Sequence, residues 1–150
     1  MSKRVGRSTA ALVGAMVALS VMAAPASASS RLVTTLSPSN EVPPNGSAAS
    51  GDFNGRFTPY RGKVCYTLTF ANLSAAATAA HVHHAPAGVN GPVVIPLTVP
   101  QATSGSVHQC MTGIDPALLK DIGHNPDQYY VNVHSSTFPG GEIRGQLAHI

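Results

Sequence analysis

Three histidines stand within four positions in 81-HVHHAPAGVNGPVV-94, and a run of turn formers follows at once. On a β-strand, side chains two apart leave the same face about 7 Å apart along the backbone, so His81 and His83 point together while Val82 and His84 point the other way. Two imidazoles so placed can take adjacent positions around one divalent ion. A third ring is at hand at the end of 129-YYVNVH-134, where His134 shares a polar face with Asn132. Three neutral imidazoles suit Cu(II) or Zn(II). Two other readings stay open: a polar cluster whose rings bond to the backbone or to one another, and a ligand site without metal. No acid stands in register beside the pair to orient the rings. His84 is not counted as a ligand, and His108, His124 and His149 read as surface residues.

Other chemistry has less support. Ser104, Ser106, Ser135 and Ser136 lack the context of a nucleophile elbow, no Gly-rich loop opens a helix to cradle phosphate, and no pair of acids is placed as in glycosidases. Thr112 and Asp115 in 110-CMTGID-115 are explained by a turn leading into a helix N-cap. Catalysis is therefore not the first expectation.

The elements that must hold the histidines are set by where the chain works. Lys3, Arg4 and Arg7 precede an apolar stretch from Ala10 to Ala24 and the small triplet Ala26-Ser27-Ala28, which predicts a signal peptide over residues 1–28. The stretch is short of the roughly 20 residues a membrane span needs, and no later segment could span. The whole chain carries nine basic and six acidic residues, but three of the basic ones belong to the signal, so residues 29–150 balance at six minus six, or zero. Nothing in that balance favours nucleic acid or an anionic membrane as partner. The two cysteines, Cys65 and Cys110, both lie in the exported part. An oxidising compartment favours their pairing, which would contribute about 3 to 4 kcal/mol in the loop-entropy model.

Residues 29–150 read as one all-β domain, an antiparallel, Greek-key-like sandwich of about seven or eight strands with one short helix in a connection. The expected strands cover residues 31–36, 49–57, 63–70, 79–84, 93–97, 104–110, 129–134 and 142–150, with prolines between or at the ends of the runs. In 115-DPALLKDIG-123, Asp115 suits an N-cap, Pro116 the first helical position and Gly123 the stop. Val64, Tyr66, Leu68 and Phe70 alternate with Cys65, Thr67 and Thr69, and such apolar faces need a second sheet to bury them. In the last strand Glu142, Arg144 and Gln146 project from one face. Either they form a polar binding strip, or they make a solvated face with a Glu-Arg pair of little energetic weight, and the solvated face is the expectation.

The segments 40-NEVPP-44, 65-CYTLTF-70, 80-AHVHHAPAGVNGPVVIPL-97 and above all 129-YYVNVHSSTFPGGEIRGQL-147 resemble the chordin-type (CHRD) domain, found in the animal protein chordin and in many exported bacterial proteins. The resemblance implies a secreted binding or structural module, in the medium or at the cell surface, meeting an extracellular protein or small ligand. A strand His-x-His with a distant histidine in an all-β sandwich is also loosely similar to copper/zinc superoxide dismutases. That similarity raises the alternative of a copper-dependent redox enzyme or copper-handling protein, although Asp115, Asp121 and Asp127 fall in the helical connection, away from any second metal position.

Overall fold

The computed structural model describes residues 28–150, so the expected signal segment falls outside the described residues except for Ala28. In chain order the strands are β1 (Ser30–Leu36), β2 (Ser50–Thr58), β3 (Lys63–Ala71), β4 (Ala77–His84), β5 (Val93–Leu97), β6 (Gly105–Met111), β7 (Tyr129–Ser135), β8 (Ile143–Gln146) and β9 (Ala148–His149). They form two antiparallel sheets, one ordered β6-β3-β2-β1-β9 and the other β5-β4-β7-β8. The all-β sandwich expected from the alternation is the observed fold.

Alternation produces the two layers. Leu32 and Leu36 of β1, Phe53 and Phe57 of β2, and Val64, Tyr66, Leu68 and Phe70 of β3 are all buried and form the inner face of the five-stranded sheet. Ala80 and Val82 of β4, Ile95 of β5, Val131 and Val133 of β7 and Ile143 of β8 meet them from the other sheet. Burying these side chains is the main favourable term, at about 1.5 to 3 kcal/mol for each large one. Helix α1 (Pro116–His124) closes one end with Leu119 and Ile122, and Asp115 caps it by accepting the Ala117 N–H at 2.8 Å. Cys65 and Cys110 stand directly opposite on β3 and β6 and are joined, with S–S 2.05 Å. No helix among the described residues is long and apolar enough to cross a membrane.

The terminal strand departs from expectation. Instead of one strand over 142–150, β8 pairs with β7, and the chain then crosses so that β9 pairs with β1 of the other sheet. The crossing falls where Gln146 is held by the Ala85 and Asp127 carbonyls and where the Leu147 N–H bonds to Tyr129 O, pinning the chain in one sheet just before it leaves. Gly145 makes the approach possible, because a Cβ there would collide with Thr34 Oγ1 and Thr35 O on β1.

The solvated polar strip is also corrected. Glu142 is 0 % and Arg144 1 % exposed, and the two do not pair. Arg144 and Gln146 lie on the outer face of the four-stranded sheet, but loop 85–92 folds over them. Arg144 donates to Pro86 O (3.1 Å), Val89 O (2.9 Å) and Asn90 Oδ1 (3.3 Å), with its guanidinium 3.3 Å from the centre of the Tyr130 ring. Strand alternation alone cannot reveal this, because a loop decides whether an outward face meets water.

Glu142 does not share that face. Its carboxylate accepts from Ser47 Oγ at 2.6 Å, from the Ser74 N–H at 2.7 Å, from Ser74 Oγ at 2.8 Å and from Ser135 Oγ, tying three segments to the start of β8. Burial alone would raise its pKa, but the Ser135, Ser47 and Ser74 donors outweigh it and hold the carboxyl below its ordinary value. A depressed carboxylate stabilises the fold above its unfolded pKa, and that contribution is lost as pH falls through the folded value. Glu142→Ala is expected to cost about 2 to 3 kcal/mol by orphaning these donors, lowering Tm by roughly 10 °C at pH 7. The difference from the parent should shrink as pH falls below 4, and a pH-independent difference in calorimetry would contradict the assigned role.

Candidate metal centre

β4 and β7 are neighbours in register, with His81 opposite Asn132 and His83 opposite Tyr130. His81, His83, Tyr130, Asn132 and His134 therefore share one outward face, as their spacing predicts. The structure brings the three candidate rings together. Their centroids are 4.9 Å apart for His81 and His134, 5.4 Å for His81 and His83, and 6.2 Å for His83 and His134. One donor nitrogen from each lies within 4.8 Å of the others. His84 leaves the opposite face and stacks on Tyr129 at 4.7 Å. His108, His124 and His149 are exposed.

The tautomers follow from the partners. His83 Nδ1 is 2.9 Å from Gly91 O and His134 Nδ1 is 2.9 Å from Pro139 O. A carbonyl only accepts, so both Nδ1 atoms carry the proton and both neutral rings present a lone pair at Nε2. These carbonyls orient the rings in the way carboxylates often do around metals, which is why the sequence shows no acidic partner. Both Nε2 atoms lie 3.0 Å from Asn132 Oδ1, and His134 Nε2 lies 3.1 Å from His81 Nδ1. Lone pairs therefore face an acceptor oxygen, which is repulsive as it stands. Two arrangements relieve it: the Asn132 amide turned so that its N–H groups donate to both rings, or a cation among the lone pairs.

Electrostatics keep the rings neutral. Burial lowers the pKa of His81 to about 4, with His134 and His83 adding repulsion. Burial also lowers His83 and His134, against acceptors that favour the charged ring, Gly91 O and Asn132 Oδ1 in one case and Pro139 O in the other. Neutral imidazole is the form that ligates. Asp121 accepts from Tyr129 and Asn125, and among the described residues the only cluster of three or more metal-competent side chains is His81, His83 and His134.

Sequence reasoning did not single out Asn132, Tyr130 or Glu41 as site residues. Asn132 had a signal, since it sits two before His134 on the same face. Tyr130, which stacks on His83 at 4.6 Å, could be found the same way. Glu41 lies in an irregular segment, and no periodicity points to it.

The fold and the cluster define an all-β sandwich with a histidine-lined outer face partly covered by loops. The CHRD domain family model matches residues 32–147, so the chain belongs to the CHRD domain family. No curated protein and no solved structure matches it.

Proposed function

We propose that this CHRD-domain chain is an exported binding module whose histidine cluster holds one divalent ion, copper or zinc. The observation that carries the reading is the convergence of one ring nitrogen each from His81, His83 and His134, with His83 and His134 oriented from behind by backbone carbonyls so that their Nε2 lone pairs face the cluster. Nitrogens about 2.0 to 2.1 Å from a shared ion in a tetrahedron are about 3.3 Å apart. The 3.1 Å between His81 and His134 is close to that edge. His83 completes the set with a shift of up to about 1.5 Å, which closes the 4.8 Å limit on the nitrogen separations to that edge. His81, the least buried of the three, leaves the side on which a fourth ligand could enter.

Calorimetric titration of the metal-freed, purified protein with Zn(II) and Cu(II), paired with elemental analysis of the protein as exported, tests the reading. One ion per chain with sub-micromolar affinity is expected. No uptake of either ion would leave the turned Asn132 amide and a closed polar cluster as the account of these residues.

Export rests on the basic, apolar and small-residue order of residues 1–28 and agrees with the bridged cysteines. Mass spectrometry of the secreted product is expected to find Ser29 at its N-terminus, and a secreted product retaining residues 1–28 would refute the processing.

A further inference from the structure

On the far side of Tyr130 from His83, two charged side chains of opposite sign line one cavity of about 430 Å³. Glu41 is 4 % exposed and Arg144 1 % exposed, yet they are not hydrogen-bonded to each other. Oε1 of Glu41 is buried with no hydrogen-bond partner at all. The guanidinium has five N–H donors, of which the three bonds to loop 85–92 use three, leaving two. Buried groups of this kind are normally paired, and a buried charge without a partner is expensive. The rest of the wall includes the apolar Val42, Pro44 and Ala87, and the volume is that of a small-molecule site.

We propose that this cavity binds a small zwitterion, an α-amino acid, with its carboxylate on the free Arg144 N–H groups, its ammonium on Glu41 and an aliphatic side chain against Val42, Pro44 and Ala87. The assignment follows by elimination. A simple anion would satisfy Arg144 but bring a second negative charge to Glu41. A simple cation would do the reverse, and a neutral polyol would bring hydrogen bonds but no charge to either group. A zwitterion matches both charges and adds none. The receptor is preorganised, because Tyr130 and the loop carbonyls already fix the guanidinium. This site is separate from the histidine cluster and does not depend on a metal being there.

The ionisation of Glu41 supplies a signature. Its carboxyl is raised to about 7 by burial, against the lowering effects of Arg144 and the Val42 N–H. Arg144, the only other charged side chain lining the cavity, stays protonated throughout the neutral range. A ligand ammonium needs the ionised carboxylate, so affinity should rise roughly tenfold between pH 6 and pH 8, following the competent fraction. A ligand recognised as an anion alone would show the opposite trend.

NMR titration of the full exported chain with L-valine, isobutylamine and isovalerate tests this. L-valine is expected to bind at millimolar affinity or better and more tightly at pH 8, shifting amides of residues 39–44 and 86–90, while the two half-ligands bind at least tenfold more weakly. Glu41→Gln, nearly the same shape and free of the buried charge, should keep the thermal midpoint while losing at least tenfold in affinity at pH 8, together with the pH dependence. Isovalerate binding as tightly as L-valine, tighter binding at pH 6, an unaffected Glu41→Gln variant, or no saturable shift at tens of millimolar would each overturn the proposal.

Discussion

His134→Ala is expected to weaken Zn(II) or Cu(II) binding at the proposed site by roughly 100-fold or more. His134 is the most connected ring of the cluster: its Nε2 is 3.1 Å from His81 Nδ1 and 3.0 Å from Asn132 Oδ1, and its Nδ1 is anchored on Pro139 O. Removing it takes away one proposed ligand and the ring that faces the His81 nitrogen. His81→Ala and His83→Ala should each lower affinity as well, whereas His84→Ala, on the opposite face, should leave it unchanged. The pH profile follows from the depressed pKa values. A histidine whose folded pKa lies below its unfolded value stabilises the fold above about 6.5, and that contribution disappears as pH falls toward the folded value. The metal-free protein should therefore lose stability between pH 6.5 and about 4, the value to which His81 is driven. Metal uptake should persist below the ordinary imidazole value of about 6.5, because burial holds all three rings below it. Calorimetric titrations of the parent and the four variants from pH 4 to pH 7 measure both effects. Equal affinity in the parent and His134→Ala would remove the shared-ion reading, and loss of uptake already at pH 6.5 would contradict the depressed values.

The parts legible in the sequence are those governed by period two. Alternation in 63-KVCYTLTF-70 and 129-YYVNVH-134 assigns Val64, Tyr66, Leu68, Val131 and Val133 to the interior and puts Asn132 and His134 on the face of His81 and His83, because strand geometry fixes the direction of each side chain. The helix follows from Asp115 and Pro116 for equally local reasons. What was not legible depends on loops and on contacts remote in sequence. Gly91 and Pro139 orient the rings through backbone carbonyls, which carry no residue signature. Loop 85–92 buries Arg144, and the 38–45 segment clamps the same region through Asn40 and Asn45 on the Arg144 and Glu142 carbonyls. The split of the last strand at Leu147 likewise depends on which sheet edge is free, and no local pattern states that.

Loss of the Cys65–Cys110 bridge is expected to cost about 4 kcal/mol, a large part of the 5 to 15 kcal/mol by which a domain of this size is stable. The bridge spans 45 residues, a loop that takes in β4, β5 and their connections, so its closure removes many conformations from the unfolded chain. Its position adds a local consequence. Among the described residues β6 is an edge strand with β3 as its only partner, and none of its seven residues is fully buried. Val107 and Met111 pack against the core only in part. With little apolar burial of its own, β6 depends on the ladder to β3 and on the covalent tie. A variant with Cys65→Ala and Cys110→Ala should therefore unfold about 4 kcal/mol more easily in denaturant titrations, and its β6 amides should exchange with solvent well before those of β2 and β3. A loss below about 1 kcal/mol would show that the unfolded chain gains little freedom when the bridge is absent. Unchanged protection of β6 would show that the ladder alone secures the edge.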